Sequence, residues 1–284
     1  MRIGWIGAGK MGLPICQRLK AAGHDVVVFA RTETSAENLT AQGLLVARNL
    51  ADLCNTAEIV FSSISDDTAL LDILDGVATL KKGSTYIDIS TVSPQASAQM
   101  AARLLAKDIS YLRSPVSGST IMAQAGTLTA IVSGSKNVFD QHAALFEVFA
   151  KKAFHVGAGE EARYLKLVLN GMVAATSALL GEALAFGKKG GLSNATMLDV
   201  ISQSVVASPL INYKRDMILS GNYKAAASLA MLKKDMDLLL KTSAISLPLS
   251  THIHEIYHSA INQGLGEEDF FVLVRQAQSE GDKL

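Results

Sequence analysis

Short apolar runs alternate with helix-like segments through the first half of the chain. The predicted strands are Ile3–Ile6, Val26–Phe29, Glu58–Phe61 and Thr85–Ile89, and the predicted helices are Lys10–Ala22, Ala36–Ala41, Asp67–Leu74 and Pro94–Ala106. Strands that alternate with helices form parallel sheets through crossover connections, and fully apolar strands suit a sheet covered on both faces. The pattern therefore predicts an α/β fold with a doubly wound sheet.

The pattern changes near residue 160. Before this point we predict strands at Ile109–Leu112, Thr127–Val132 and Phe154–Val156 and a helix at Val138–Phe149. Beyond it, Glu161–Lys189 is predicted as one long helix that ends at Gly190-Gly191, and Ser193 or Asn194 is predicted to cap the next helix. Pro209 and Pro248 are predicted to interrupt later helices. We expect two domains, an α/β domain over residues 1–160 and an all-helical domain over residues 161–284.

Composition and charge exclude several classes of protein. A hydrophobic fraction of 49% and a charged fraction of 18% in 284 residues exclude a disordered chain. Lys+Arg and Asp+Glu are both 26, so no basic surplus favours nucleic acid as a partner. Two cysteines exclude a disulfide scaffold and favour a reducing, cytoplasmic compartment.

The N-terminal residues lack the pattern of a signal peptide. The apolar stretch Leu167–Gly181 is interpreted as a buried helix too short to cross a bilayer, so no membrane partner is expected.

A glycine-rich segment follows the first predicted strand. Gly7-Ala8-Gly9-Lys10-Met11-Gly12 matches G-x-G-x-x-G between a strand and a helix, the context that a dinucleotide-binding turn requires. The first glycine permits the tight turn, the second lets the backbone approach a pyrophosphate, and the third lets the helix pack closely. A glycine-rich turn without a ligand is the alternative.

The end of the second predicted strand bears on the choice of cofactor. NAD-binding folds usually carry Asp or Glu there, where this chain has Ala30-Arg31-Thr32. An arginine can hold a 2′-phosphate through a forked, charge-assisted contact, so NADP is favoured over NAD. Glu33 leaves open that Arg31 is an ordinary surface charge.

Hydroxyl residues follow two later strands. Ser62-Ser63-Ile64-Ser65 and Ser90-Thr91-Val92-Ser93 stand where ligands bind in open α/β sheets, beyond the carboxyl ends of the strands. Ser63, Ile64 and Thr91 are therefore candidate cofactor contacts. Ser65 and Ser93 also precede predicted helices and can act as caps.

Four segments occur in order along the chain, at Gly7–Gly12, Ser114–Ser119 with Ala125–Leu128, Lys166–Asn170 and Lys234–Leu238. Together they resemble the β-hydroxyacid dehydrogenase family, which includes 3-hydroxyisobutyrate dehydrogenase and tartronate, glyoxylate and succinic semialdehyde reductases. The resemblance covers nearly the whole chain. It implies a Rossmann-type domain, a long interdomain helix and an all-helical C-terminal domain like those of 6-phosphogluconate dehydrogenase, and it implies a homo-oligomer, a dimer or a tetramer.

The resemblance also implies roles for individual residues. Lys166 matches the catalytic lysine of the family and Asn170 its substrate-positioning asparagine. Ser117 and Gly118, in the turn that ends at Ser119, match the site for the substrate carboxylate. Lys234 matches a lysine near both nicotinamide and substrate, Asp235 matches its neighbour, and Thr91 a residue beside the nicotinamide. The chain departs from the family at Arg113, where an Asp is usual, at Ser119, where a Gly is usual, and at Ala227, where an aromatic residue is frequent.

The residues themselves suit reduction of a carbonyl. Lys166 and Asn170 are four positions apart, so a helix places them on one face. A lysine among apolar residues can serve as the general acid if burial and nearby positive charge lower its pKa, and a glycine turn can direct backbone N–H groups at a carboxylate. The expected substrate is therefore a small aldehyde or keto acid with a carboxylate. A lysine that merely reaches to solvent, and a Lys233-Lys234-Asp235 run on a solvated helix face, are the alternatives.

Three other functions remain open. His254-Glu255-Ile256-Tyr257-His258 matches the H-E-x-x-H signature of zinc hydrolases, with His252 or Glu280 as a third ligand, but a protease has no use for a dinucleotide turn, so no metal is expected. An imine reductase has the same architecture but usually lacks the lysine. A dinucleotide-binding protein without catalysis is the third.

Overall fold

The computed structural model describes residues 1–281 and divides the chain into two compact units. The first unit is Met1–Lys166, and the second begins at Leu167. This division falls inside the long helix, whereas the sequence places the domain boundary just before it.

The first unit is built on one mixed sheet. Its strands are β1 (Arg2–Ile6), β2 (Asp25–Phe29), β3 (Leu45–Val46), β4 (Ile59–Ser62), β5 (Thr85–Asp88), β6 (Ser110–Arg113), β7 (Val116–Ser117), β8 (Leu128–Ser133) and β9 (Ala150–Gly157). They are ordered β3-β2-β1-β4-β5-β6-β8-β7, and β9 pairs with β8. The six strands from β3 to β6 are mutually parallel, and β8 runs antiparallel to β6 and β7. The carboxyl ends of β1, β2, β4, β5 and β6 therefore meet at one edge.

Helices cover both faces of this sheet. They are α1 (Gly12–Ala21), α2 (Glu33–Ala41), α3 (Leu50–Thr56), α4 (Asp67–Asp72), α5 (Leu74–Val77), α6 (Pro94–Leu105), α7 (Thr120–Ala125), α8 (Lys136–Gln141) and α9 (Ala143–Phe149). Alternate residues of β2 enter different cores: Val26 and Val28 pack in the cluster with α1 and α9, and Val27 packs in the cluster with α3 and α6. Burial on both faces explains why Val26–Phe29 of β2 has no polar position.

The elements differ from the predicted ones in several places. β3 and α3 lie between predicted elements. The only sequence signal for α3 is its N-cap Asn49, whose side chain accepts a hydrogen bond from the Asp52 N–H. The predicted helix Val138–Phe149 is two helices, α8 and α9, that break at His142, and α1 begins at Gly12 because Lys10 belongs to the turn. β9 is longer than predicted because its pairing with β8 extends from Ala150 to Gly157, with two irregularities in register.

The second unit is helical throughout its described part. Its helices are α10 (Glu161–Lys189, which begins in the first unit), α11 (Asn194–Gln203), α12 (Pro209–Ser220), α13 (Leu229–Thr242), α14 (Pro248–Asn262) and α15 (Leu273–Gly281), with a 3₁₀ turn at Phe270–Val272. Ser193 caps α11, as predicted. The prediction that Pro209 and Pro248 interrupt helices is wrong, because both begin helices, where the missing N–H of proline costs nothing.

α10 is the longest helix of the described chain, with 29 residues. Its 18-residue apolar window has a mean hydropathy of 1.5 and meets a length-and-composition criterion for crossing a membrane, but 44% of the window is buried inside the protein, and core helices of soluble proteins meet the same criterion. Length therefore does not exclude a membrane span, contrary to the sequence argument from Leu167–Gly181.

Candidate active site

The glycines that follow β1 shape a turn with room for a ligand. Gly7 has φ +81°, and a Cβ there would lie 2.3 Å from the Ser63 carbonyl oxygen. A Cβ on Gly12 would lie 2.6 Å from the Gly7 oxygen, so the helix packs directly on the turn, whereas a Cβ on Gly9 would meet no atom within 4 Å. No side chain caps the start of α1 at Met11. Open space at Gly9 and an uncapped helix N-terminus fit a pyrophosphate.

A cavity of about 550 Å³ lies beyond this turn, a size that suits part of a dinucleotide. The predicted cofactor residues that line it are Gly7, Ala8, Gly9, Ala30, Arg31, Thr32, Ser63 and Ile64. Ser35, Leu39, Leu50, Ser65, Ala69, Asp72 and Ile73 also line it. Lys10, Met11, Gly12 and Thr91 do not, and Lys234 belongs to the other unit. The cavity thus brings together the first, second and fourth strand ends at the edge predicted for ligand binding.

The ends of β4 and β5 are joined beneath the cavity by buried hydrogen bonds. The Ser62 and Ser90 hydroxyls both donate to Asp88 Oδ1, at 2.6 and 2.5 Å. The Ser90 hydroxyl also accepts from the Ile64 N–H at 2.9 Å, which ties the cavity wall to β5. Ser93 caps α6, as the capping alternative predicted, but Asp66 rather than Ser65 caps α4.

The turn after β7 holds the predicted carboxylate site. Gly118 has φ +135°, a backbone angle that residues with a side chain rarely adopt, and a Cβ there would lie 2.7 Å from Leu128 Cδ2. Ser117 is half-buried, and the Ser119 hydroxyl accepts from the Met122 N–H as the cap of α7. The serine that replaces the usual family glycine therefore has a structural use.

Arg113 does not act as a free charge in the first unit. Its guanidinium Nε donates to Glu160 Oε1 at 2.9 Å, Nη2 donates to the same oxygen, and its plane lies over the Tyr111 ring at 4.4 Å. Both partners of the ion pair are largely buried. Arg113, which stands where the family usually has Asp, is thus paired with Glu160, an acid that precedes α10.

Lys166 and Asn170 lie one turn apart on the continuous helix α10, as the spacing predicted. Lys166 is half-buried, and it is the last residue of the first unit. Within the second unit, Asn170 Nδ2 donates to Asp235 Oδ2 at 2.5 Å, and Lys234 Nζ lies 3.0 Å from Asp235 Oδ1. Asp235, to which the sequence assigned no chemistry, therefore joins two predicted site residues. Of the Lys233–Asp235 run, Lys233 pairs instead with Asp237 near the surface.

The H-E-x-x-H segment forms no recognisable metal centre. His254 Nε2 lies 2.6 Å from Asp237 Oδ1, so the nitrogen that would bind zinc has a carboxylate partner. His252 contacts Glu255, and the side chain of Glu280 lies outside the described residues. Within the described part of the chain, no group of three metal-binding side chains was found.

Two family profiles together match nearly the whole chain. The NAD-binding domain of 6-phosphogluconate dehydrogenase matches residues 2–157, and the NAD-binding domain of NADP-dependent 3-hydroxyisobutyrate dehydrogenase matches residues 157–277. Among curated relatives, 2-(hydroxymethyl)glutarate dehydrogenase of Eubacterium barkeri is 31% identical over 97% of this chain and 94% of its own. Glyoxylate/succinic semialdehyde reductase 1 of Arabidopsis thaliana is 28% identical over 96% of this chain and 97% of its own.

Solved structures share the fold. Mycobacterium tuberculosis 3-hydroxyisobutyrate dehydrogenase with L-serine has a TM-score of 0.89 at 24% identity, covering 97% of this chain and 98% of its own. Psf3 in complex with NADP+ and 2-OPP has a TM-score of 0.86 at 29% identity, covering 96% and 99%. An imine reductase of Streptomyces aurantiacus has a TM-score of 0.64 at 21% identity, covering 97% and 99%. One family profile covers more than half of this chain, and one relative is more than 30% identical to it. The chain therefore belongs to the β-hydroxyacid dehydrogenase family of NAD(P)-dependent oxidoreductases that act on hydroxyacids.

Proposed function

We propose that the protein reduces a small aldehyde or keto acid bearing a carboxylate to the hydroxyacid, reversibly and with NADPH. The observation that carries this proposal is the Asn170–Asp235–Lys234 network, one turn along α10 from Lys166. An amide held by a buried carboxylate can orient a small substrate, and a lysine one turn away can exchange a proton with its oxygen.

The proposed chemistry divides among the cofactor and three groups of residues. Bound NADPH supplies the hydride that reaches the carbonyl carbon. Lys166 donates a proton to the developing alkoxide and accepts it in the reverse direction. Asn170, fixed by Asp235, positions the substrate oxygen. Ser117, the Gly118 N–H and Ser119, all in the first unit, hold the substrate carboxylate.

The role of Lys166 is tested by Lys166→Met. We expect kcat to fall about 10²- to 10⁴-fold, the usual contribution of a general acid, with little change in the Kd for NADPH. Lys189→Met, at the exposed end of the same helix, is the matched control and should leave both constants unchanged. Turnover that survives in Lys166→Met would remove the lysine from the mechanism.

The preference for NADPH over NADH is proposed from Arg31. Its side chain is exposed at the cavity, and the neighbouring Thr32 hydroxyl and Ser35 N–H lie at the start of α2. Arg31→Asp should weaken the binding of NADPH about tenfold or more relative to the binding of NADH, because a charge-assisted hydrogen bond contributes roughly 1.5–3 kcal/mol. Lys107→Asp makes the same charge change on another exposed loop and should alter neither affinity. An unchanged NADPH-to-NADH ratio in Arg31→Asp would contradict the proposal.

The substrate class is tested with a panel of glyoxylate, succinic semialdehyde, tartronate semialdehyde and methylmalonate semialdehyde. Loss of NADPH absorbance with at least one of them, unaffected by a chelator, is expected. A silent panel with turnover of a cyclic imine would favour the imine reductase alternative, and tight NADPH binding without any turnover would favour a binding protein.

We also propose a cytoplasmic homo-oligomer, a dimer or a tetramer. Exposed apolar side chains recur along α10 at positions that share one face, at Tyr164, Val168, Met172, Leu179 and Phe186. Such a stripe suits a second copy of the chain. Sedimentation of the wild type and of Leu179→Lys/Phe186→Lys tests this, and a wild-type monomer would contradict it. Cys16 and Cys54 are buried free thiols, as a reducing compartment allows.

A further inference from the structure

Arg163 is a buried arginine that the proposed chemistry does not use. It lies in the first turn of α10 and is 1% exposed. All three guanidinium nitrogens donate hydrogen bonds within the first unit. Nη2 donates to Asp88 Oδ2 at 2.5 Å and to the Tyr111 hydroxyl at 2.7 Å. Nη1 donates to the Ser90 carbonyl at 2.7 Å, and Nε donates to the Ser97 hydroxyl at 3.1 Å.

These acceptors belong to the edge of the sheet that carries the cofactor cavity. Asp88 ends β5, Ser90 lies two positions further along the chain, and Tyr111 lies in β6. The other oxygen of Asp88 accepts from Ser90, whose hydroxyl accepts from the N–H of Ile64 in the cavity wall. A chain of hydrogen bonds, buried as far as Ser90, therefore runs from α10 through Asp88 to the cavity.

The start of α10 is held from a second side as well. The Ser133 hydroxyl, at the end of β8, donates to the Gly159 carbonyl at 2.7 Å and accepts from the Ala162 N–H at 3.3 Å. Lys166 follows Arg163 by three positions, so the two side chains are neighbours on the helix surface. The contacts of Arg163 consequently fix the turn from which the Lys166 side chain extends.

We propose that Arg163 is a positioning residue, which sets the place of the Lys166 ammonium relative to the Ser90–Thr91 loop by tying α10 to the ends of β5 and β6. This inference rests on the proposed role of Lys166. The planar fork of arginine reaches four acceptors at once, which the single ammonium of a lysine cannot do in the same geometry. Burial opposes the charge of Arg163, but Tyr111 and Asp88 hold its pKa above the ordinary value, so it remains a cation.

The test compares Arg163→Lys with the wild type. This variant keeps a positive charge beside Asp88 and so avoids an uncompensated buried carboxylate. We expect kcat, normalised to the concentration of sites titrated with NADPH, to fall about 10- to 100-fold, which is the scale of loss for a misplaced catalytic group. We also expect a shift in the limb of the kcat–pH profile that belongs to the general acid. The KM for the aldehyde should change less than about threefold, because the carboxylate contacts are elsewhere.

Two further variants separate positioning from stability. Arg163→Met/Asp88→Asn removes the buried pair without leaving a lone charge, and it should show the same shift in the pH profile. Lys214→Met/Asp269→Asn removes the buried ion pair of the second unit and should lower stability while kcat per site and the pH profile stay at wild-type values. A wild-type kcat and pH profile in Arg163→Lys would overturn the proposal. Turnover that persists in Lys166→Met would instead overturn the proposed function on which it rests.

Discussion

A side chain at position 7 would collide with the backbone of the neighbouring strand end, and this makes Gly7 a sensitive test of the dinucleotide turn. Gly7 and Gly83 have nearly the same backbone angle, φ +81° and +82°. A Cβ on Gly83 meets nothing within 4 Å, whereas one on Gly7 lies 2.3 Å from the Ser63 oxygen. The two positions share the conformational cost of a left-handed residue and differ only in the collision.

Gly7→Ala is therefore predicted to lower the free energy of unfolding more than Gly83→Ala does. Gly83→Ala should lower the free energy of unfolding by about 1 kcal/mol, from the strained angle alone. Gly7→Ala adds an overpacking cost of about 1–3 kcal/mol and should also abolish NADP+ binding. Urea unfolding and a fluorescence titration measure both quantities. Equal losses of stability in the two variants would show that the collision relaxes freely.

Residues with a local pattern were predictable, and those defined by a distant partner were not. The glycines of the turn and the Lys166–Asn170 spacing can be read from adjacent positions. Arg163 was missed, and Asp235 was named without a chemical role, because their importance comes from Asp88 and Asn170, which lie 75 and 65 positions away. No local pattern marks Arg163, because Glu160, Glu161 and Lys166 stand near it and a charged first turn of a helix is ordinary.

At the scale of elements, serine side chains begin many of the helices. Ser93, Ser193, Ser208 and Ser228 each accept a hydrogen bond from a backbone N–H in the first turn of α6, α11, α12 and α13. Ser135 stands at the same position before α8 but makes no such bond. The capping position alone therefore does not stabilise a helix unless the hydroxyl reaches the N–H.

Ser93→Ala is predicted to destabilise the protein, and Ser135→Ala is its matched control. Loss of the bond from the Ala96 N–H to the buried Ser93 hydroxyl should cost about 1 kcal/mol. Ser135→Ala should change the free energy of unfolding by less than about 0.5 kcal/mol. Thermal and urea unfolding of the two variants check this. A loss in Ser135→Ala as large as that in Ser93→Ala would contradict the argument.

For the molecule as a whole, each unit carries its own core and its own buried ion pair. Arg163–Asp88 is fully buried in the first unit, and in the second unit Lys214 and Asp269 are 2% and 0% exposed, with Nζ and Oδ2 at 2.6 Å. The Lys214 ammonium also lies 4.8 Å from the centre of the Phe270 ring. Breaking one buried pair leaves its partner uncompensated within that core.

Lys214→Met is accordingly predicted to lower the free energy of unfolding by about 3–5 kcal/mol, because Asp269 would remain buried without its cation. Lys136→Met breaks an exposed pair with Asp140 and should cost about 0.5 kcal/mol or less. Urea unfolding followed by circular dichroism compares the two. A loss below about 1 kcal/mol in Lys214→Met would mean that Asp269 is hydrated or protonated in the variant.

The strand–helix alternation, the glycine turn and the shared face of Lys166 and Asn170 follow from the sequence by itself, because each depends on residues a few positions apart. The short elements β3 and α3 and the pairing of Arg113 with Glu160 were decided by tertiary structure. Arg113 and Glu160 are 47 positions apart. Their pairing follows from the sheet register that brings their elements together, and the free energy of that packing is spread over many distant contacts that no local pattern contains.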